Sequence, residues 1–178
     1  GTVGFVHRLE TAVDAMVKIQ DQFPKAHLLV VGGGSELANV VAYAKKINTS
    51  NVTFAGPVTL EEVSELLNVA LAAVATIRDS EAMKGVRLSK IFPSMASGVP
   101  VLYSGAGEGA EIISASGAGL VSPPEEPKAL AENMKALLLN ANKVEQMGSA
   151  GRRLMEERFS WPSIVNGWLS QLNDFPCK

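Results

Sequence analysis

The sequence predicts an α/β fold, a Rossmann-like doubly wound parallel sheet of about six strands followed by C-terminal helices. Three observations carry this. Short continuous apolar runs such as Leu28-Leu-Val-Val31 stop abruptly at turn residues, here Gly32-Gly-Gly34, as strands buried on both faces do. Between them lie stretches with apolar residues three and four apart, for example Leu9, Val13, Met16 and Val17, the spacing of amphipathic helices. Runs and helical stretches alternate along most of the chain, which describes strand–helix–strand units rather than an antiparallel sheet.

The elements follow in order. Gly1-Thr-Val-Gly-Phe-Val6 reads as a first strand, then a helix over Leu9 to Val17, then Leu28 to Val31. Leu37, Val40, Val41 and Ala44 mark a second helix before the strand Asn51-Val-Thr-Phe54, which ends at Ala55-Gly-Pro57. Leu60, Val63, Leu66 and Leu67 mark a third helix before Leu71 to Thr76. Val99 to Tyr103 and Gly119 to Val121 continue the strands. Ser122-Pro-Pro-Glu-Glu-Pro127 then stops the sheet and starts a helix, with proline and acidic residues at its positive end. Leu130, Met134, Leu137 and Leu138 form one later stripe, and Met147, Leu154 and Met155 suggest another. Trp161, Ile164, Val165, Trp168, Leu169 and Leu172 form the apolar face of a final helix over 160–174. The two tryptophans lie on one stripe, so packing is their expected role.

Composition narrows the functions. At 178 residues with 47% hydrophobic and 19% charged residues, the chain has the balance of a folded domain and not of a disordered one. No apolar run approaches the ~20 residues needed to span a bilayer. A formal charge of −2 gives no global field that would draw nucleic acid, which is disfavoured as a partner although a local basic patch remains open. The single cysteine, Cys177, permits neither an internal disulfide nor a cysteine metal cluster, which fits a reducing cytoplasm and an inert tail thiol. His7 and His27 have no metal-ligand spacing. The first residues lack methionine and read as the inside of a strand, so a larger parent protein is expected, with another domain ahead of this one.

In an open parallel sheet, ligands sit beyond the carboxyl ends of the strands. Three loops there carry chemistry. Gly32-Gly-Gly-Ser-Glu36, with Gly33 at its centre, either offers bare N–H groups to an anion or is a tight turn with Ser35 as helix cap; it does not match G-x-G-x-x-G. The loop Ile77 to Lys90 brings Arg78, Lys84, Arg87 and Lys90 to one strand end against Asp79 and Glu81, with Ser89 and Lys90 at the next helix start. That suits a phosphate or diphosphate, against the alternative of a solvated loop. Ser104-Gly-Ala-Gly-Glu-Gly-Ala-Glu-Ile-Ile113 is a glycine-rich turn, where Glu108 or Glu111 could accept from hydroxyls or the glycines serve only backbone geometry. His7 closes the first run at the same edge, followed by Arg8.

Asn51-Val-Thr-Phe-Ala-Gly-Pro-Val58, Ser89-Lys-Ile-Phe-Pro-Ser-Met-Ala-Ser-Gly-Val-Pro-Val101, Gly107-Glu-Gly-Ala-Glu-Ile-Ile113, Gly117-Ala-Gly-Leu-Val-Ser-Pro-Pro124, and Met147-Gly-Ser-Ala-Gly-Arg152 with Phe159-Ser-Trp161 occur in this order and spacing. Together they resemble the C-terminal, donor-binding half of GT-B glycosyltransferases of group 1 (family 4), most of all bacterial enzymes that build surface polysaccharides, including amino-sugar transferases. The resemblance implies a nucleotide-diphosphate sugar held at this edge, a retaining reaction without metal or other cofactor, and an acceptor-binding N-terminal domain toward which the final helix returns. It implies hexosyl or N-acetylaminosugar transfer by a cytoplasmic enzyme meeting the inner face of the membrane as a peripheral protein, with the isolated domain inactive.

Carried over position by position, Lys90 and Arg78 would contact the diphosphate, residues 107–111 the phosphate or sugar, and Gly56 to Val58 would border the base. Two glutamates that the family carries eight positions apart fall at Gly85 and Pro93. Their loss keeps open a degenerate module that binds a nucleotide sugar or a protein without catalysis; a nucleotide-sugar epimerase of related architecture is a more distant alternative.

Overall fold

A computed structural model describes residues 1–173; Cys177 and the last residue of the expected 160–174 helix lie outside the described residues. Helices and parallel strands alternate as the sequence predicts. They are α1 (Glu10–Ile19), β1 (Leu28–Val31), α2 (Leu37–Lys46), β2 (Val52–Gly56), α3 (Leu60–Val69) and β3 (Ala73–Thr76), then α4 (Ile91–Ala96), β4 (Val101–Ser104), α5 (Glu108–Ser116) and β5 (Gly119–Ser122). α6 (Pro127–Leu138), α7 (Ala141–Leu154) and α8 (Trp161–Asn173) complete the chain, with a π turn at Met155–Phe159 between the last two.

The strand count differs from about six. Among the described residues, five strands form two parallel sheets, β1-β2 and β3-β4-β5. The expected first strand, Gly1 to Val6, is not formed. Val3 instead donates to Gly33 O at 2.8 Å and accepts from Glu36 N–H at 3.1 Å, both beyond the end of β1, and a 3-10 turn begins at Phe5. On its other side this segment meets the end of β3, where Arg78 N–H donates to Val6 O at 2.9 Å. Residues 1–8 therefore join the two sheets at their C-terminal edge through loop hydrogen bonds rather than a ladder.

Local signals explain the helix boundaries. Thr59 and Glu62 form a reciprocal capping box on α3, Pro127 opens α6, and Asn140 Oδ1 accepts from Lys143 N–H at 3.0 Å to cap α7. α4 ends at Gly98 with φ 71°, the left-handed stop that glycine adopts without strain.

β4 shows how one strand serves two layers, because side chains alternate across a sheet. Leu102 packs with Ala12, Met16, Leu130, Met134 and Leu137 of α1 and α6, whereas Val101 and Tyr103 pack with Ile77, Ile91, Met95 and Ile113 on the opposite face. The sheet is thus covered on both sides. α7 seals the second layer, and a Cβ on its Gly148 would stand 2.0 Å from the Gly98 carbonyl oxygen.

α8 departs from the packing expected for its tryptophans. Trp161 and Trp168 are 79% and 62% exposed, and Ile164, Val165, Leu169 and Leu172 are exposed with them. No helix among the described residues is long and apolar enough to cross a membrane.

Candidate donor-binding edge

The C-terminal edge of the sheet gathers the loops singled out in the sequence, and the structure sorts their residues. The Gly32–Gly34 turn is filled by the chain itself: a Cβ on Gly32 or Gly34 would fall 1.8 Å from Gly1 O or 2.2 Å from Val3 O. Nor does Ser35 cap the next helix, since α2 starts after Glu36 with no side-chain cap bond. Gly33 stays open toward Pro57, whose Cγ is 3.7 Å from the position of a Cβ there, and Gly32 N–H bonds Gly56 O at 2.8 Å. Gly33 and the Gly56–Val58 turn thus form one continuous border.

The four cations of the 77–90 loop separate. Arg78 is anchored: its Nε donates to Phe5 O at 2.9 Å and its guanidinium lies 3.6 Å from the centre of the Phe5 ring. Lys84 pairs with Glu81 three residues earlier. Arg87 Nε pairs with Glu108 Oε2 at 3.2 Å. Lys90 makes no ion pair among the described residues, and it is half-buried. Its Cε and Nζ lie 3.5 and 3.7 Å from where a Cβ on Gly1 would stand, and burial holds its ammonium below the ordinary lysine range. Ser89 beside it is exposed.

His7 faces the same space. Its Nδ1 accepts from Gly4 N–H at 3.2 Å, which leaves Nε2 to carry the proton of the neutral ring. Burial first, and the Lys90 charge second, hold the imidazole below its usual value of 6.5. A half-buried lysine and an imidazole N–H in its neighbourhood are the donor types that an anion would require.

The glycine-rich turn is built mainly for its own packing. A Cβ on Gly107, at φ 78°, would fall 2.0 Å from Lys84 O, and that carbonyl also accepts from Glu108 N–H at 2.9 Å. A Cβ on Gly109 would meet the Tyr103 hydroxyl at 2.6 Å. Tyr103 is fully buried, its hydroxyl has no hydrogen-bond partner among the described residues, and burial raises its pKa. Glu111 is exposed, so of the two acidic residues in this turn it keeps the freer carboxylate. At the two positions of the family glutamates, Gly85 is open and Pro93 exposed.

Two contacts lay outside the sequence reading, the stacking of Phe5 on Arg78 and a link between Arg8 and Glu125 at 2.8 Å. Neither leaves a signal in spacing, because each depends on which loops the fold brings together. No three His, Cys, Asp or Glu side chains among the described residues converge to hold a metal ion.

The family model described as "Glycosyl transferases group 1" matches residues 1–140. The chain belongs to this family. The match bears out the resemblance carried by the Ser89–Val101 and Gly107–Ile113 blocks. This group 1 chain is 26% identical over 166 residues to spore coat protein SA of Bacillus subtilis, covering 89% of this chain and 43% of that one. It is 27% identical over 169 residues to a Mycobacterium tuberculosis GDP-mannose-dependent alpha-(1-6)-phosphatidylinositol monomannoside mannosyltransferase, covering 93% of this chain and 43% of that one.

Among solved structures, an S. aureus TarM mutant in complex with fondaparinux, alpha-GlcNAc-glycerol and UDP superposes with a TM-score of 0.82 at 18% identity, over 98% of this chain and 34% of that one. That likeness shows the fold, the Rossmann-like half of a GT-B fold. The group 1 chain spans less than half the length of each of these proteins.

Proposed function

We propose that this chain is the donor-binding half of a retaining glycosyltransferase that holds a nucleotide-diphosphate sugar at the C-terminal edge of its sheet, for polysaccharide or glycoconjugate biosynthesis. Lys90 is the observation that carries the reading. Of the loop cations it alone is half-buried with neither an ion pair nor a side-chain hydrogen bond among the described residues, and it lies near enough to His7 for its charge to act on the ring. A diphosphate supplies the missing counter-charge.

In this reading Lys90, His7 Nε2–H and Arg78 bind the phosphates, and Gly33 with Gly56–Val58 borders the base. Ser89 and, of residues 107–111, the exposed Glu111 meet phosphate or sugar, with Glu111 accepting from a hydroxyl. Arg87 and Glu108 hold the 84–90 loop against α5. The side chains neutralise the leaving diphosphate, so no metal is required. A preceding domain supplies the acceptor, and the exposed face of α8 packs on it, which agrees with the chain's span of 43% of its relatives. The 178 residues alone then bind donor without transferring sugar. The enzyme works in the cytoplasm, against the membrane periphery.

Calorimetry with uridine, guanosine and adenosine diphosphates and their hexose and N-acetylaminosugar conjugates tests this. One base is expected to bind through its diphosphate, and failure of all three nucleotides would end the reading. A second reading, a binding module without catalysis, is favoured by Pro93 and Gly85, which place no carboxylate where the family has two. Donor binding without transfer by the full-length protein would select it.

A further inference from the structure

Arg8 and Glu125 hold the left-handed backbone conformation, with φ 43° and 56°. Asn48 shares it, but asparagine tolerates that region, whereas longer side chains adopt it at a cost that persists only where surrounding contacts enforce it. The two strained residues are bonded to each other: Arg8 Nε donates to Glu125 Oε1 at 2.8 Å. The other carboxylate oxygen, Oε2, accepts from Asp79 N–H at 3.3 Å. One carboxylate thus ties together the 5–8 turn, the loop after β3 and the turn between β5 and α6. Arg78 sits inside this tie. Its own N–H bonds Val6 O, its Nε bonds Phe5 O, and the N–H of the next residue is the one that Glu125 holds.

We propose that Glu125 is a positioning residue of the donor site, a carboxylate bolt anchored on Arg8 that fixes the Arg78 loop at the spacing the diphosphate meets. This rests on the donor-site reading above. The backbone supports a role for the side chain rather than the turn. Glycine would satisfy φ 56° without strain, and what it would lack is the carboxylate. Glu125 is one-third exposed, so the bolt stays accessible to solvent and adjusts when the ligand arrives.

Three measurements on the 178-residue chain test this, using Glu125→Gly and Glu125→Gln. Glu125→Gly is expected to unfold at or above the parent temperature, because relieved strain offsets a solvent-accessible ion pair. Its Asp79 amide should exchange with solvent about tenfold faster. Its affinity for the diphosphate probe bound by the parent, UDP, GDP or ADP, should fall about three- to tenfold. Glu125→Gln keeps an acceptor for Asp79 N–H and should lose less. In an Arg78→Ala background, Glu125→Gly should cause no further loss, the mark of action through Arg78.

Unchanged Asp79 exchange overturns the bolt. Faster exchange with unchanged affinity overturns the positioning role while leaving the donor reading in place. A markedly lower unfolding temperature in Glu125→Gly shows a structural residue and overturns the proposal. Failure of the parent to bind any of the three nucleotides overturns the donor reading, and the positioning role with it.

Discussion

β4 buries all four of its residues, while β2 fully buries none of its five. The helices differ in the same way: α1 has six buried residues and α3 has none, with Leu60 and Val69 at its ends 85% and 82% exposed. The loops of the proposed site divide along this line. Lys90, Arg87 and the 104–109 turn stand on the close-packed β3-β4-β5 half, whereas Gly33 and Gly56–Val58 stand on the looser β1-β2 half. A close-packed base holds charged groups at fixed spacing, while a loose one opens locally at small free-energy cost. In the proposed site, the end assigned to the phosphates therefore stands on a preorganised base and is expected to carry most of the affinity, while the end assigned to the nucleobase is expected to adapt.

The strongest break of the contrast is at the α7–α4 contact. A Cβ on Gly148 would stand 2.0 Å from the Gly98 backbone oxygen, which has no rotamer through which to move aside. Gly148→Ala is expected to destabilise the fold by about 3 kcal/mol. Gly85→Ala, with nothing within 4 Å, should stay within about 0.5 kcal/mol of the parent. Chemical denaturation of both variants measures this. Equal losses would mean that the packed half tolerates rearrangement and is not the rigid base described.

The contrast sharpens at Lys90. In the proposed site, replacement by alanine is expected to remove a charge-assisted hydrogen bond to the diphosphate, about 1.5–3 kcal/mol or roughly ten- to a hundredfold in affinity. Folding should hold, since the buried ammonium is itself disfavoured. Calorimetry with nucleoside diphosphate and with bare nucleoside separates the cases: equal weakening of both would remove Lys90 from the phosphate site.

Much of this was legible in the sequence. The alternation of apolar runs with helical spacing gave the class, and the runs at Leu28, Leu71 and Val99 fell on strands. The Gly1–Val6 run did not, because its partners in space are the loop oxygens and N–H groups beyond β1 and β3, and composition does not say which backbone groups a run will meet. Site residue types were visible, yet pairing was not. Arg87 and Lys90 look alike in the sequence, and only the approach of Glu108 distinguishes a bonded cation from one with no ion pair among the described residues. Gly107 looked equally suited to a ligand, but its open side is taken by Lys84 O. The exposure of Trp161 and Trp168 was unreadable because an apolar stripe does not state what covers it.

A smaller effect is expected on the loose side. Thr59 Oγ accepts from Glu62 N–H at 3.2 Å, and Glu62 returns a bond to Thr59 N–H at 2.7 Å. Thr59→Ala should weaken α3 by about 1 kcal/mol. With no buried residue tying α3 to the core, the loss should appear as faster exchange of the first α3 amides rather than as a matching fall in global stability. A global loss equal to the full cap contribution of about 1 kcal/mol would show that the two halves unfold as one unit.

The smallest effect joins the two descriptions of the phosphate end through pH. His7 is held below 6.5 in the folded chain by burial and then by the Lys90 charge. As pH falls below that ordinary value, the unfolded chain takes up a proton that the folded chain resists, so this contribution to stability is intact above about pH 6.5 and is lost on the way down to the lowered value. A bound diphosphate has the opposite influence, because its negative charge favours the imidazolium. Binding then takes up a proton, and affinity rises over the pH range in which stability falls. A nucleotide sugar is the suitable probe, since its diphosphate does not itself ionise near neutrality. Affinity and denaturation profiles between about pH 7.5 and 5.5 measure both signs, with His7→Gln expected to flatten each. His27, exposed on the β1-β2 side and bonded to Thr53 at 2.7 Å, supplies the control from the other half: His27→Gln should leave the affinity profile as it was. If His7→Gln keeps the parental slope in affinity, His7 does not face the diphosphate, and Lys90 holds the phosphates without it.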